Sequence, residues 1–517
     1  MARGAFAVTA GRVAAGFVLA AILLPLMAVI WRAGGLSGYG PADWAAIRFT
    51  LSQALVSAAL SVALAVPLAR ALARRRFAGR GLLVTLMGAP FILPVIVAIL
   101  GLLAVFGQGG LLGRAMAVFG LEAPRIYGFH GVVLAHVFFN LPLAVRLLLQ
   151  GWLAIPGERF RLAAALGFGP GEVQRHLEWP MLSALVPGLF VVIFLICTTS
   201  FAVALTLGGG PRATTVELAI YQAFRFDFDP GRAAALSLAQ LVLTGSAALV
   251  AARVALPGAF GAGLDRSVPR WDAGAGWLRT QDAAVIGAGA LFLLLPLGAV
   301  AARGLMELGA LPGAVWAAAG RSLAVALVSA ALAVALALAL AVAAAGRHGR
   351  AGYEVAGTVA VAVSPLVLGT GLYLLLLPVT DPVALALPVT ALVNALMSLP
   401  FTFRALLPAA RAAERDYGRL ADSLGMGGID RLRRLTLPRL RRPLGFSAGL
   451  AAALTMGDLG VIALFADPGF ATLPLQVYRL MAAYRMDEAA AAALLLLALT
   501  LALFWAFDRG GRGDAAV

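Results

Sequence analysis

The chain has 517 residues, 62% hydrophobic and only 12% charged, and its mean hydropathy is +0.94. A water-soluble protein carries about 25% charged residues, and at this length it would need several polar domain surfaces, which this composition does not supply. The formal net charge is +16, yet all 40 basic residues are arginine; without lysine there is neither a Walker A loop nor a Schiff-base site.

In a soluble protein a pI near 11.3 would point to nucleic acid. In a membrane protein it points first to loop charge that sets orientation, so no nucleic-acid partner is expected. The single cysteine, Cys197, excludes an intrachain disulfide and a thiolate metal site. His130, His136, His176 and His348 lack the spacing of a zinc helix. No catalytic group, metal or cofactor is expected.

A helix needs about 20 apolar residues to cross a bilayer. Arg3 and Arg12 precede the first such run, which is long for a signal-peptide core and reads as a spanning helix that stays. Twelve segments qualify, near 13–31, 50–69, 81–106, 129–150, 182–206, 232–252, 283–302, 322–345, 353–377, 382–403, 443–465 and 488–507. With both termini in the cytoplasm, 29 of the 40 arginines fall on the cytoplasmic side, ten of them between Arg404 and Arg442. That bias satisfies the positive-inside rule. The expected fold is an all-α polytopic membrane protein of the bacterial inner membrane, in contact with lipid.

The chain repeats itself. Ala54–Leu60 recurs unchanged as Ala326–Leu332, and Leu141-Pro142 with Arg146 recurs as Leu399-Pro400 with Arg404. Each half holds six spans in one orientation, so the repeat is parallel. The expected division is a first unit at 1–255, a cytoplasmic linker at 256–281 and a second unit at 282–517.

Within each half the longest cytoplasmic loop, 158–180 or 416–438, has one design. An acidic residue opens a helix-favouring stretch that breaks at Gly167 or Gly425, where a helix C-cap tolerates positive φ. A second short amphipathic helix is expected to end at Pro180 or Pro438. One such hairpin also suits an interfacial element meeting lipid headgroups; two with identical Gly-to-Pro spacing suit a twofold partner.

These loops resemble the EAA loop of ABC-importer permeases. Gly167, Leu177 and Pro180, with Gly425, Leu435 and Pro438, match its glycine, its aliphatic residue ten positions on and its proline at thirteen, and Leu437 adds an aliphatic residue just before the second proline. Ala163 and Ala421 keep the third position of the motif, but Arg161 and Arg419 replace its glutamate, and Leu162 and Leu420 its first alanine. The resemblance implies a type I ABC importer permease whose two loops dock on an ATPase subunit, in two copies, that supplies the hydrolysis this chain lacks. Any salt bridge made by the missing glutamate is not carried over.

A narrower resemblance runs through Thr199–Ala202, Leu207–Gln222, Asp229–Ala234, Gly457–Phe465 and Thr472–Tyr478, which are similar to bacterial thiamine-importer permeases. It implies thiamine, with its phosphates, as cargo, delivered by a periplasmic binding protein. Fused ferric-iron permeases share the double-loop layout, and a twelve-span secondary transporter is the alternative from another class. The latter calls for several membrane carboxylates or histidines, whereas Asp458 is the clear one here.

Ionisable groups within a span face a cavity or a partner. Asp458 stands between Gly457 and Gly460, and its repeat equivalent is Ser200, beside Thr199. Two roles fit: Thr199, Ser200 and Asp458 line the passage, or Asp458 caps a helix broken at the glycines. Asn140 and Asn394 are expected to bond neighbouring helices, and Pro94, Pro142, Pro365 and Pro400 to kink spans. The stretch Gly208–Pro230 reads as a periplasmic re-entrant or interfacial helix, with Glu217, Asp227 and Asp229 on a solvated face.

Overall fold

The computed structural model describes residues 5–33, 39–88, 92–253, 271–274, 276–346, 350–465 and 468–512. Most of the expected linker at 256–281 lies outside the described residues.

The first half comprises α1 (Ala5–Ala33), α2 (Pro41–Arg74), α3 (Arg80–Leu86), α4 (Val95–Phe106), α5 (Leu111–Val118) and α6 (Phe129–Ala154). It continues through α7 (Gly157–Ala165), α8 (Pro170–Val173), α9 (Trp179–Thr198), α10 (Ala202–Leu207), α11 (Val216–Arg225) and α12 (Pro230–Ala252). The second half has α13 (Gly276–Glu307), α14 (Gly313–Ala345), α15 (Arg350–Thr358), α16 (Pro365–Leu376) and α17 (Ala386–Ser423). It closes with α18 (Gly428–Arg431), α19 (Leu437–Met456), α20 (Gly460–Phe465), α21 (Leu473–Ala482) and α22 (Met486–Arg512).

Among the described residues, eleven helical stretches are long and apolar enough to span a membrane, or twelve with one bent pair. That pair, Arg350–Ala362 and Pro365–Leu376, turns by 96°. The bend corrects the reading of two prolines. Pro365 is the first residue of α16 and Pro94 the residue before α4, so they start helices instead of kinking them. Proline lacks the N–H that an interior position needs, and the first turn does not use it. Pro142 and Pro400 do lie inside α6 and α17.

The burial pattern is inverted relative to a soluble protein. Leu23, Leu24, Met27 and Ile30 of α1 and Leu291, Leu294 and Leu295 of α13 face outward, while Thr50, Gln53, Ser57 and Ser61 of α2 are buried. Lipid gives apolar side chains no reason to cluster, so small and hydrogen-bonding residues hold such helices together. The two halves use one device: Thr50 Oγ1 accepts from Val216 N at 2.9 Å and starts α11, and Ser322 Oγ accepts from Leu473 N at 2.7 Å and starts α21.

The first span of each half is exchanged. Besides α12, α1 packs on α14 and α16 of the second half; besides α22, α13 packs on α2 and α4 of the first. The crossings rest on bare glycine. A methyl group at Gly101 of α4 would sit 2.6 Å from the Pro296 carbonyl oxygen of α13, and one at Gly371 of α16 would overlap the Pro25 carbonyl of α1. Gly101→Ala or Gly371→Ala is expected to destabilise the protein by about 1–3 kcal/mol through overpacking, read as a lowered melting temperature in detergent. Gly16→Ala, with open space around it, should leave the melt unchanged.

Candidate functional site

Two regions carry the sequence-predicted residues. The first is the pair of long loops, 158–180 and 416–438. Gly167 and Gly425 both adopt φ +71, the left-handed conformation that closes a helix end and that glycine reaches without a Cβ penalty. Gly167 N donates to Ala164 O and Phe168 N to Ala163 O; Gly425 N and Met426 N repeat this with Asp422 O and Ala421 O. Ala163 and Ala421 are buried beneath the turn, while Arg161 and Arg419 point to solvent. Arg161 pairs with Glu158 at 2.9 Å on the surface, a contact of small energetic weight.

The prolines do not end the second short helix. After α8 and α18 come five-residue π-helical segments, Gln174–Glu178 and Leu432–Thr436, that run straight into α9 and α19. Trp179 N donates to Gln174 O and Leu437 N to Leu432 O, a five-residue reach. Pro180 and Pro438 are the second residues of the spans that follow. A proline there cannot donate four residues back and crowds that carbonyl, so the ladder widens by one residue upstream and the helix continues. Each loop is thus built into its span. Leu177 and Leu435 are half-buried along this stretch. In the second half α17 also runs without a break from its span into the loop, whereas Ile155-Pro156 separates α6 from α7.

Sequence reasoning missed the apolar face of these loops. Leu162 and Leu166 are each 62% exposed, and their equivalents Leu420 and Leu424 are 55% and 66% exposed. The four-residue spacing puts each pair on one helix face. That spacing was visible in the sequence; its direction, away from the protein, was not.

The second region lies where α9 and α19 break, after Thr198 and Met456, before α10 and α20 resume. The three-residue breaks, 199–201 and 457–459, occupy equivalent positions, and Gly460, just past the second, lies beside Phe201 of the first. A Cβ at Gly460 would lie 3.7 Å from Phe201 Cδ1, and one at Gly457 would lie 3.1 Å from Pro94 Cα. Asp458 Oδ2 accepts from Asn394 Nδ2 at 3.3 Å and Oδ1 accepts from Gly460 N at 3.2 Å. The capping reading is therefore realised, and Asp458 keeps partial exposure beside it. Thr199 Oγ1 donates to Ile196 O at 3.2 Å, and Ser200 is half-exposed in the opposite break. Asn394 bonds across helices as expected; Asn140 bonds His136 O of its own helix at 2.8 Å and Cys197 Sγ of α9 at 3.4 Å.

Glu217 does not lie on a solvated face. It is 1% exposed, and Oε1 accepts from Gln240 Nε2 at 3.0 Å. Position 217 falls on the inward side of α11, among Val216, Leu218 and Ile220, all buried. Asp227 and Asp229 are exposed as expected, the former paired with Arg232 at 2.6 Å and the latter capping α12 through Arg232 N.

An all-α bundle of this span count, with a duplicated loop continuous with the span that follows it, is a polytopic membrane protein. No family model matches the chain. It is 40% identical over 514 residues to the thiamine transport system permease protein ThiP of Brucella abortus, covering 97% of this chain and 94% of that one. It is 39% identical to ThiP of Escherichia coli over 487 residues, 90% and 89% of the two chains. A probable sulfate transport system permease of Helicosporidium is 26% identical over 236 residues, 44% of this chain. The chain belongs to the family of thiamine transport system permeases.

Asp458→Ala is expected to lower stability by about 1 kcal/mol or more through loss of the bonds to Gly460 and Asn394. Asp458→Asn, which keeps an acceptor oxygen, should cost less, and thermal melting of the two purified variants checks this.

Proposed function

We propose that this chain is the membrane subunit through which an ATP-driven importer moves thiamine, with its phosphates, from a periplasmic binding protein into the cytoplasm. The observation that carries the coupling half of this reading is the duplicated loop: one backbone, built twice and fused to its span through a π-turn, with a leucine pair left outward on each copy. Solvent-exposed leucine pairs on rigid elements suit burial in a partner, and two equivalent copies suit two ATPase subunits. Arg161 and Arg419 lie on the neighbouring surface of the same loops. The hydrolysis resides in that partner, because this chain has no P-loop lysine.

The cargo rests on the family. Full-length relatives are named for thiamine transport, which favours thiamine over ferric iron and over a secondary transporter. Thiamine carries a permanently positive thiazolium ring. Asp458, partly exposed beside Asn394, supplies a carboxylate that attracts it, and Thr199 and Ser200 supply hydroxyls from the equivalent break. The arginine distribution supports an orientation with both termini and both loops in the cytoplasm. The chain is read as two permease units, 1–255 and 282–517, that rock between inward- and outward-facing states when the ATPases close.

Two experiments test this. Leu166→Glu with Leu424→Glu is expected to abolish co-purification of the ATPase subunit while the permease still melts cooperatively; retention of the subunit would remove the docking assignment. Asp458→Asn is expected to reduce thiamine uptake by about tenfold, since a desolvated charge contact is worth roughly 1.5–3 kcal/mol. Unchanged uptake kinetics would sink the charge-attraction role.

A further inference from the structure

The two cytoplasmic loops have the same backbone but are not held in the same way. At the end of α2, Arg70 Nη1 donates to Gln174 Oε1 at 3.3 Å and Arg70 Nε pairs with Glu178 Oε2 at 2.7 Å. Gln174 and Glu178 are the first and last residues of the π-turn in the first loop. One turn further along, Arg74 Nη2 and Arg75 Nε pair with the two oxygens of Asp282 at 2.6 and 2.7 Å. Asp282 lies in α13, the first span of the second half. Glu178 is 1% exposed at its side chain, Arg74 2% and Asp282 3%. The last turn of α2 therefore joins the first loop to the second half of the protein through buried charge, and it enters a cavity of about 210 Å³ lined by Arg70, Arg74, Gln174, Glu178 and Asp282.

Among the described residues the second half contains the same helix crossing without these ion pairs; the position equivalent to Arg75 is Arg347, which lies outside the described residues. The positions equivalent to Arg70 and Arg74 are Val342 and Gly346, the one equivalent to Glu178 is Thr436, and the one equivalent to Asp282 is Gly11. There α1 closes on α14 by bare contact, a methyl at Gly11 overlapping the Ala343 side chain. The second loop is braced within its own segment, by Arg431 to Glu414 at 2.7 Å and to Asp422 at 2.8 Å.

We infer that Glu178, Arg70, Arg74, Arg75 and Asp282 form a one-sided ionic tie that positions the first coupling loop against the second half, so that ATP-driven movement of that loop is transmitted across the protein. The inference rests on the ATPase-coupling role proposed above. Buried ion pairs of this kind contribute little net stability against apolar replacements but hold one arrangement firmly, because breaking one side strands a buried charge. They suit a part that must move as a unit.

The test uses the full permease with its ATPase subunit and binding protein in liposomes, and reads ATP hydrolysed per thiamine delivered. Asp282→Asn and Glu178→Gln are expected to retain the ATPase subunit and to raise that ratio by about fivefold or more, the lower end of ordinary coupling strengths. Asp282→Glu, which restores the carboxylate, should return the ratio to within about twofold of the unmodified protein. If Asp282→Asn does not fold, Glu178→Gln decides, since Arg70 keeps Gln174 as a partner. A wild-type ratio in the folded variants overturns the tie. Failure of the unmodified permease to bind an ATPase subunit overturns the coupling reading itself and is seen separately.

Discussion

The structure depends on two crossings in which a bare glycine meets a proline-bearing helix: Gly101 against Pro296, and Gly371 against Pro25. In lipid, apolar contact alone does not drive helices together, and close backbone approach through small residues is one of the few remaining sources of attraction. Each crossing seats the first span of one half on the fourth helix of the other, so neither six-span set is complete by itself. Pro94 and Pro365, which begin those fourth helices, are thereby fixed near the centre of the protein. Gly457 packs on Pro94, and Gly460 lies beside Leu366 and Phe201. The geometry of the central breaks is thus inherited from two crossings far along the same helices.

On this twofold backbone the chemistry is not twofold. The π-turns of the two loops and the left-handed Gly167 and Gly425 coincide between halves. Side chains at equivalent places differ. Ser200 is the repeat equivalent of Asp458, and an ion-paired crossing of α2 and α13 is matched by an alanine–glycine crossing of α14 and α1. Duplication conserves what the main chain must do, namely satisfy its own hydrogen bonds within lipid. It leaves single side chains free to diverge.

The sequence disclosed what is local. Twelve apolar runs, the repeated Leu-Pro…Arg and Gly…Pro spacings and the glycine turns were all readable, because each depends on residues within one helix or loop. Pro180 and Pro438 were legible as breakers but not in their effect: whether a proline ends a helix or shifts its ladder into a π-turn depends on the packing of the span beyond. The burial of Glu217 was hidden for a related reason, since its partner Gln240 lies on the next helix and only their meeting takes position 217 out of solvent. The exchange of α1 and α13 and the Arg74–Asp282 pair, 208 residues apart, leave no periodic trace at all.

Those hidden contacts bear on how a cation is handled. Two buried or partly buried carboxylates among the described residues, Glu217 and Asp458, are candidates. Glu217 is sealed, with Gln240 bonded to it and, through the same amide nitrogen, to Thr198 O at 2.8 Å. A carboxylate already engaged and without solvent exposure offers a passing ligand nothing; its place is to hold α11 to α12. Asp458 differs in kind. Among the described residues its partners are an amide side chain and a backbone N–H, and it retains partial exposure at a break where the backbone is irregular. Irregular backbone at membrane depth is tolerated where it is buried in protein or lines a cavity. Of the two, only Asp458 combines a carboxylate with partial exposure, and that is the ground on which we propose it for the cargo's positive ring.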